Sequence, residues 1–207
     1  MTTLELFNML IEDKPSDFLR EREEELFALI PELRSCKGRN QNNIWHPYDV
    51  YEHILRVVDN VDNNLLLRIA ALFHDIGKQE SNYAEHEDGQ GYFEKHWDLS
   101  REIFINFISK HKDDIQMSVD KLCYYVSYLI YYHDINLDKL DDKTLFLFGE
   151  DGIKQLIELK RADLCAQNPM FYDETMEKYK QQEENATARC RKIISNNERK
   201  YLNANNS

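Results

Sequence analysis

Apolar residues recur at helical spacing along almost the whole chain. They do so over Leu4–Ile11 and again over residues 17–30, where Phe18, Leu19, Leu26, Phe27, Leu29 and Ile30 fall mostly on one side. Pro15-Ser16-Asp17 separates these runs and offers Ser or Asp as a cap for the second. Pro31 opens a turn-like piece, and residues 35–43 (SCKGRNQNN) read as a polar loop. A third helix is predicted from Pro47 or Tyr48 to Val61, since proline is tolerated in a first turn. Asp62-Asn63-Asn64 breaks it. Residues 65–76 form the most apolar helix of the chain, with Gly77 placed as its C-terminal cap. Residues 79–94 (QESNYAEHEDGQGYFE) read as a loop of a length more often functional than idle. Helices follow at about 96–110, 118–132 and 150–164, with a shorter one near 137–147. Residues 171–194 predict a charged helix lying along the surface, and the tail from Asn196 to Ser207 is expected to fray. No repeat and no alternating strand pattern is found, so the pattern predicts an all-α, single-domain fold.

Composition narrows the class. With 207 residues, 42% hydrophobic and 31% charged, the chain can enclose a full core. Six glycines and four prolines are too few for a turn-rich all-β fold. No run approaches the ~18 apolar residues of a membrane span, and MTTLELFNML lacks a basic leader, so a cytoplasmic protein is expected. Cys36, Cys123, Cys165 and Cys190 form no CxxC pair, which argues for reduced thiols over a zinc ribbon or disulfide framework. The net charge of −12 would repel a polyanion, making bulk nucleic-acid binding an unfavourable reading. A small phosphorylated ligand is compatible with that charge if metal ions supply positive charge locally.

The candidate chemistry lies in the histidines. His111 (KHKDD) reads as surface, and His86 (EHEDG) as loop surface that a nearby site can recruit. His53 lies beside the buried stripe Val50, Ile54, Val57 and Val61. His74-Asp75 ends the most apolar helix, His96 opens the next, and His133, followed by Asp134, ends CYYVSYLIYYH. Asp163 stands near the end of a further apolar stretch. Buried carboxylates and unpaired polar groups are costly, so these residues must converge on something. Imidazole with carboxylate is a donor set for Mn, Fe, Co, Ni or Zn rather than Ca. Spacing alone leaves a metal site and a buried polar network equally open.

The order H…HD…H…H…D resembles the HD superfamily of metal-dependent phosphohydrolases. The resemblance implies His53, His74, Asp75 and Asp163 as ligands of one divalent ion. It implies His96 and His133 as ligands of a second, with Asp75 bridging. More narrowly, ELFALIPEL (25–33), HPYDVYEH (46–53), LRIAALFHDIGK (67–78), GYFEKH (91–96) and LIELKRADL (156–164) look like the HD domain of bacterial CCA-adding tRNA nucleotidyltransferases and their poly(A)-polymerase-like relatives. The GS and paired-carboxylate signatures of that family's nucleotidyltransferase head are absent, so CCA addition is not expected. Lys95 stands where the family usually has glycine. On this resemblance, residues 1–43 are helices packing on an HD core of residues 44–170, and residues 171–207 are a C-terminal helix and tail.

The chemistry implied is metal-dependent phosphoester hydrolysis, in which a divalent ion activates water and polarises a phosphoryl oxygen. Asp75 and Lys78 are the expected catalytic residues, Lys78 reaching toward the phosphate; a plain helix-terminal lysine is its alternative. His46, Arg56 and Arg161 are candidate substrate contacts, and Asp49 caps its helix or steadies His46. The resemblance favours 2′,3′-cyclic phosphodiesterase or phosphatase activity on a nucleotide or RNA end. A (d)NMP, (d)NTP or dinucleoside polyphosphate hydrolase and a non-catalytic, metal-stapled binding module are the alternatives. Tyr124, Tyr125, Tyr128, Tyr131 and Tyr132 read first as core and second as a base-stacking wall. Oligomeric state is not legible.

Overall fold

The computed structural model describes residues 1–205, with side chains through residue 197. Thr2 caps α1 (Thr3–Leu10) through a reciprocal box with Glu5. Pro15 does not separate helices; it is the first residue of α2 (Pro15–Glu21), where its missing N–H and fixed φ suit a first turn. Ser16 caps nothing, because its hydroxyl donates to Asp59 Oδ2 at 2.6 Å and ties α2 to the core. The run predicted over 17–30 is broken at Arg22, and α3 (Glu23–Leu29) restarts after it. Residues expected as a turn form α4 (Pro31–Cys36), because Leu33 and Cys36, one turn apart, are both buried.

Asp49 caps α5 (Val50–Asn60): one oxygen accepts from the Glu52 amide at 2.8 Å and the other from the Gly38 amide at 2.9 Å. Asn64 caps α6 (Leu65–Phe73), which is buried from Leu67 to its end and packs on α5 and α8 (Val119–Tyr132). The helix stops three residues earlier than expected. His74 and Asp75 form a turn leading into a 3-10 segment, Ile76–Gln79. Gly77 is no left-handed cap. A Cβ there would lie 2.3 Å from the His96 carbonyl oxygen and 2.5 Å from the Ser100 amide, so glycine permits close contact with α7 (His96–His111). The Gly77 amide also donates to Ser100 Oγ at 2.9 Å.

The predicted loop over 79–94 contains a small antiparallel hairpin, β1 (Tyr83–Glu85) and β2 (Gly91–Phe93), with Tyr83 opposite Phe93. Strands of three residues are too short for alternation to register in the sequence. The helices expected near 137–147 and 150–164 become a 3-10 turn, Leu137–Lys139, and α9 (Asp142–Cys165), capped by Asp141 and interrupted at Gly149, whose φ is +62°. Packed along α9 is α10 (Tyr172–Asn205), with Ala186 and Cys190 buried. It continues past Asn196, where fraying was expected; Asn206 and Ser207 lie outside the described residues.

One contiguous core runs from Leu6 in α1 to Cys190 in α10, so the fold is all-α apart from the hairpin. Among the described residues no helix is long and apolar enough to cross a membrane. The tyrosines of α8 line no wall of the large cleft: Tyr124 and Tyr125 are exposed, Tyr131 lies beneath Arg101, and Tyr128 and Tyr132 pack against Phe148, Tyr132 at the edge of the core. The contact at Gly77 sets a stability test. Gly77→Ala overpacks the α6–α7 junction and is expected to cost about 1–3 kcal/mol in urea unfolding. Unchanged stability would show that the junction is looser than described.

Candidate metal centre

Five separate pieces of backbone deliver side chains to one buried point. α5 supplies His53, the turn after α6 supplies His74 and Asp75, α7 begins with His96, α8 is followed by His133, and α9 carries Asp163. His53, His74, Asp75, His96 and His133 are all buried. Asp75 lies at the middle. Its Oδ2 is 3.4 Å from His53 Nε2 and 3.3 Å from His74 Nε2, while its Oδ1 is 3.2 Å from His96 Nε2 and 3.5 Å from His133 Nε2. Asp163 Oδ1 approaches His53 Nε2 at 3.0 Å from the other side.

The histidines are oriented by main chain. Nδ1 of His74 donates to the Ala71 carbonyl at 2.7 Å, that of His96 to Phe93 at 3.0 Å and that of His133 to Ile130 at 2.6 Å. Each bond fixes the tautomer and leaves an Nε2 lone pair pointing inward, the arrangement found behind metal-ligating imidazoles. The consequence is plain at His96 and His133, whose Nε2 atoms face each other at 3.3 Å. Two lone pairs at that distance repel unless a cation lies beside them. His53 Nε2 and His74 Nε2 are buried without a hydrogen-bond partner. Orphaned inward-facing donors next to carboxylates therefore fit a divalent ion.

Three overlapping groups could hold one: His53–His74–Asp75, Asp75–His96–His133, and His46–His53–Asp163. Asp75 is common to the first two, so its two oxygens can serve two ions. Burial alone would raise the Asp75 pKa, but Lys78 and the surrounding imidazoles hold it well below the usual carboxylate range. Burial likewise opposes protonation of His53, yet the Asp163 and Asp75 carboxylates raise its pKa to about 9. His46, desolvated and near Lys78, has its pKa pushed well below the ordinary histidine value.

A cleft of about 720 Å³ opens over this cluster. His46 lines it, held by an Nδ1 contact with Asn43 Oδ1 at 2.9 Å. Lys78 also lines it but does not reach outward: its ammonium pairs with Asp75 Oδ2 at 2.7 Å and donates to Gln41 Oε1 at 2.9 Å. Arg56 is not brought to the cleft. It lies 3.9 Å over the Tyr48 ring and pairs with Glu52. Arg161 is likewise engaged elsewhere, with Glu183 at 2.5 Å. His86, on the hairpin, is exposed, lines the cleft and stacks on Tyr92 at 4.3 Å. His111 is half-buried against Phe107, outside the cleft. Trp45, Tyr92 and Trp97 on the cleft wall are not among the sequence candidates, and Lys95 stands out in the sequence only as a lysine where glycine is usual. For the tryptophans the available signal is adjacency, Trp45 to His46 and Trp97 to His96.

A family model described as "HD domain" matches residues 44–167. A stretch of 88 residues, 40% of this chain, is 31% identical to an A-adding tRNA nucleotidyltransferase of Deinococcus radiodurans. That stretch covers 20% of the relative's length. No solved structure matches the chain.

The proton on His53 competes with metal. Below about pH 9 an ion must displace it, so affinity is expected to rise about tenfold per pH unit and level off above that point. Mn(II) or Co(II) titrations across the range read this slope directly; a flat profile would mean that His53 is not a ligand.

Proposed function

Because this chain belongs to the HD-domain family of metal-dependent phosphohydrolases, we propose that it hydrolyses a phosphoester of a nucleotide or RNA end, with a 2′,3′-cyclic phosphate as the favoured substrate. One observation carries the hydrolase reading: a single buried carboxylate, Asp75, turns one oxygen to His53 and His74 and the other to His96 and His133, at the floor of an open cleft. The preference for an RNA-type ester is supported by the partial likeness to a protein named as a tRNA nucleotidyltransferase. A cleft of about 720 Å³ and a net charge of −12 favour a small substrate over a whole nucleic acid.

The side chains have distinct tasks. His53, His74, Asp75 and Asp163 would hold one divalent ion, and His96 and His133, sharing Asp75, a second. Such an ion supplies Lewis acidity toward phosphoryl oxygens and makes water acidic enough to react near neutral pH. Lys78 keeps Asp75 ionised and oriented, which makes it a positioning residue in this reading. His46 stays neutral at the cleft wall and can hydrogen-bond to substrate without adding charge.

The test is hydrolysis of 2′,3′-cAMP beside 5′-dAMP, dATP and diadenosine tetraphosphate, with Mn, Co or Ni added. Turnover of the cyclic ester is expected, falling to background in Asp75→Ala and Asp75→Asn with loss of bound metal and an unchanged helical circular-dichroism signal. Turnover of a mononucleotide or polyphosphate alone would move the protein to nucleotide-pool chemistry. Metal retention with no turnover would leave a metal-stapled binding module.

A further inference from the structure

Lys95 joins β2 to α7 with φ +53° and ψ +27°, in the left-handed region. Side chains with a Cβ disfavour that conformation, and glycine is the residue that adopts it at least cost. The reversal is required here, because it starts α7 at His96 and lets the His96 ring donate back to the Phe93 carbonyl. A lysine at such a position retains its side chain against the local backbone preference, and strain of this kind gathers at functional sites.

The charges on the cleft wall give that side chain a task. Asp75, Glu94, Asp134 and Asp163 line the cleft, opposed only by Lys78 and Lys95 among lysines and arginines. Lys78 is buried and already engaged with Asp75 and Gln41. Arg56 and Arg161 are held by Glu52 and Glu183. Lys95 is exposed, and its ammonium has no hydrogen-bond or ion-pair partner among the described residues. A phosphate entering over the histidine cluster would pass an acidic wall with one uncommitted protein cation beside it.

We infer that Lys95 is the phosphate-binding side chain of the cleft. This rests on the reading of the cleft as a phosphoester site. The left-handed turn lets one segment do two things: it aims His96 inward and keeps Lys95 on the cleft wall. As a compact, flexible point charge, lysine can follow a phosphate through a change of geometry.

The backbone conformation supplies a clean variant, since Lys95→Gly removes the ammonium while suiting the turn. The probe is inorganic phosphate, titrated by calorimetry into the Mn-loaded full chain. Lys95→Gly is expected to weaken phosphate binding about tenfold or more, the scale of one lost charge-assisted contact. Mn stoichiometry should be unchanged and the thermal midpoint equal or higher, while Lys95→Arg should bind phosphate nearly as wild type does. With 2′,3′-cAMP, the glycine variant should raise KM more than it lowers kcat.

Equal phosphate affinity in wild type and Lys95→Gly would overturn the inference. So would equal weakening in the glycine and arginine variants, or no phosphate binding by the loaded wild type. The two readings fail separately. Hydrolysis with Lys95→Gly unaffected keeps the hydrolase and removes Lys95. Phosphate binding that depends on Lys95 without any hydrolysis removes the hydrolase and keeps the anion site.

Discussion

A buried carboxylate needs positive compensation, and at Asp75 the protein supplies one ammonium directly and four imidazole nitrogens that would share a metal ion with it. His53, His74, His96 and His133 approach its two oxygens, and Lys78 pairs with one of them. An unpaired carboxylate in a protein interior would cost several kcal/mol. The elements that bring these groups together must therefore dock accurately: α5, the end of α6, the start of α7 and the end of α8. Asp163 on α9 closes the cluster against His53. Most of the fold is organised around satisfying one side chain.

Accuracy comes from the main chain. Three of the imidazoles are locked by carbonyls three residues earlier, so their inward nitrogens have one direction and one tautomer. Gly77 allows the Asp75 turn to press against the first turn of α7, which fixes the separation of His74 from His96. Rigid support of this kind is what a metal centre requires, since a displaced ligand forfeits coordination. Above this floor, part of the cleft wall comes from loop and hairpin residues such as Trp45, Tyr92 and Glu94.

The cations show how position decides role. Lys78 and Lys95 lie at opposite ends of the segment between the Asp75 turn and His96, and both line the cleft. A 3-10 turn directs Lys78 back onto Asp75, making it part of the buried charge balance. A left-handed residue leaves Lys95 uncommitted. Arg56 and Arg161 sit one turn and two residues from ligands in sequence, yet both point to surface carboxylates. For Arg161 the reason is helical geometry, since residues two apart face nearly opposite sides, whereas Arg56 lies about one turn from His53 but is drawn to Glu52 and the Tyr48 ring.

How much could be read beforehand follows from the range of the forces involved. Helical periodicity, a cap such as Asp49, and the pairing of His74 with Asp75 are local, and they made the all-α class and the candidate histidines and aspartates legible in the sequence alone. Spacing by itself left a polar network open; the HD resemblance proposed which residues would be ligands, and the family match to residues 44–167 now stands beside it. The break at Arg22, helical α4, the hairpin and the continuation of α10 past Asn196 were not legible. Each depends on burial against distant residues or on segments too short to carry a period. The division of Asp75 between two histidine pairs, the engagement of Lys78 and the left-handed Lys95 were decided only by tertiary structure. They arise where separate elements meet, and electrostatic compensation of a buried charge acts through space rather than along the chain.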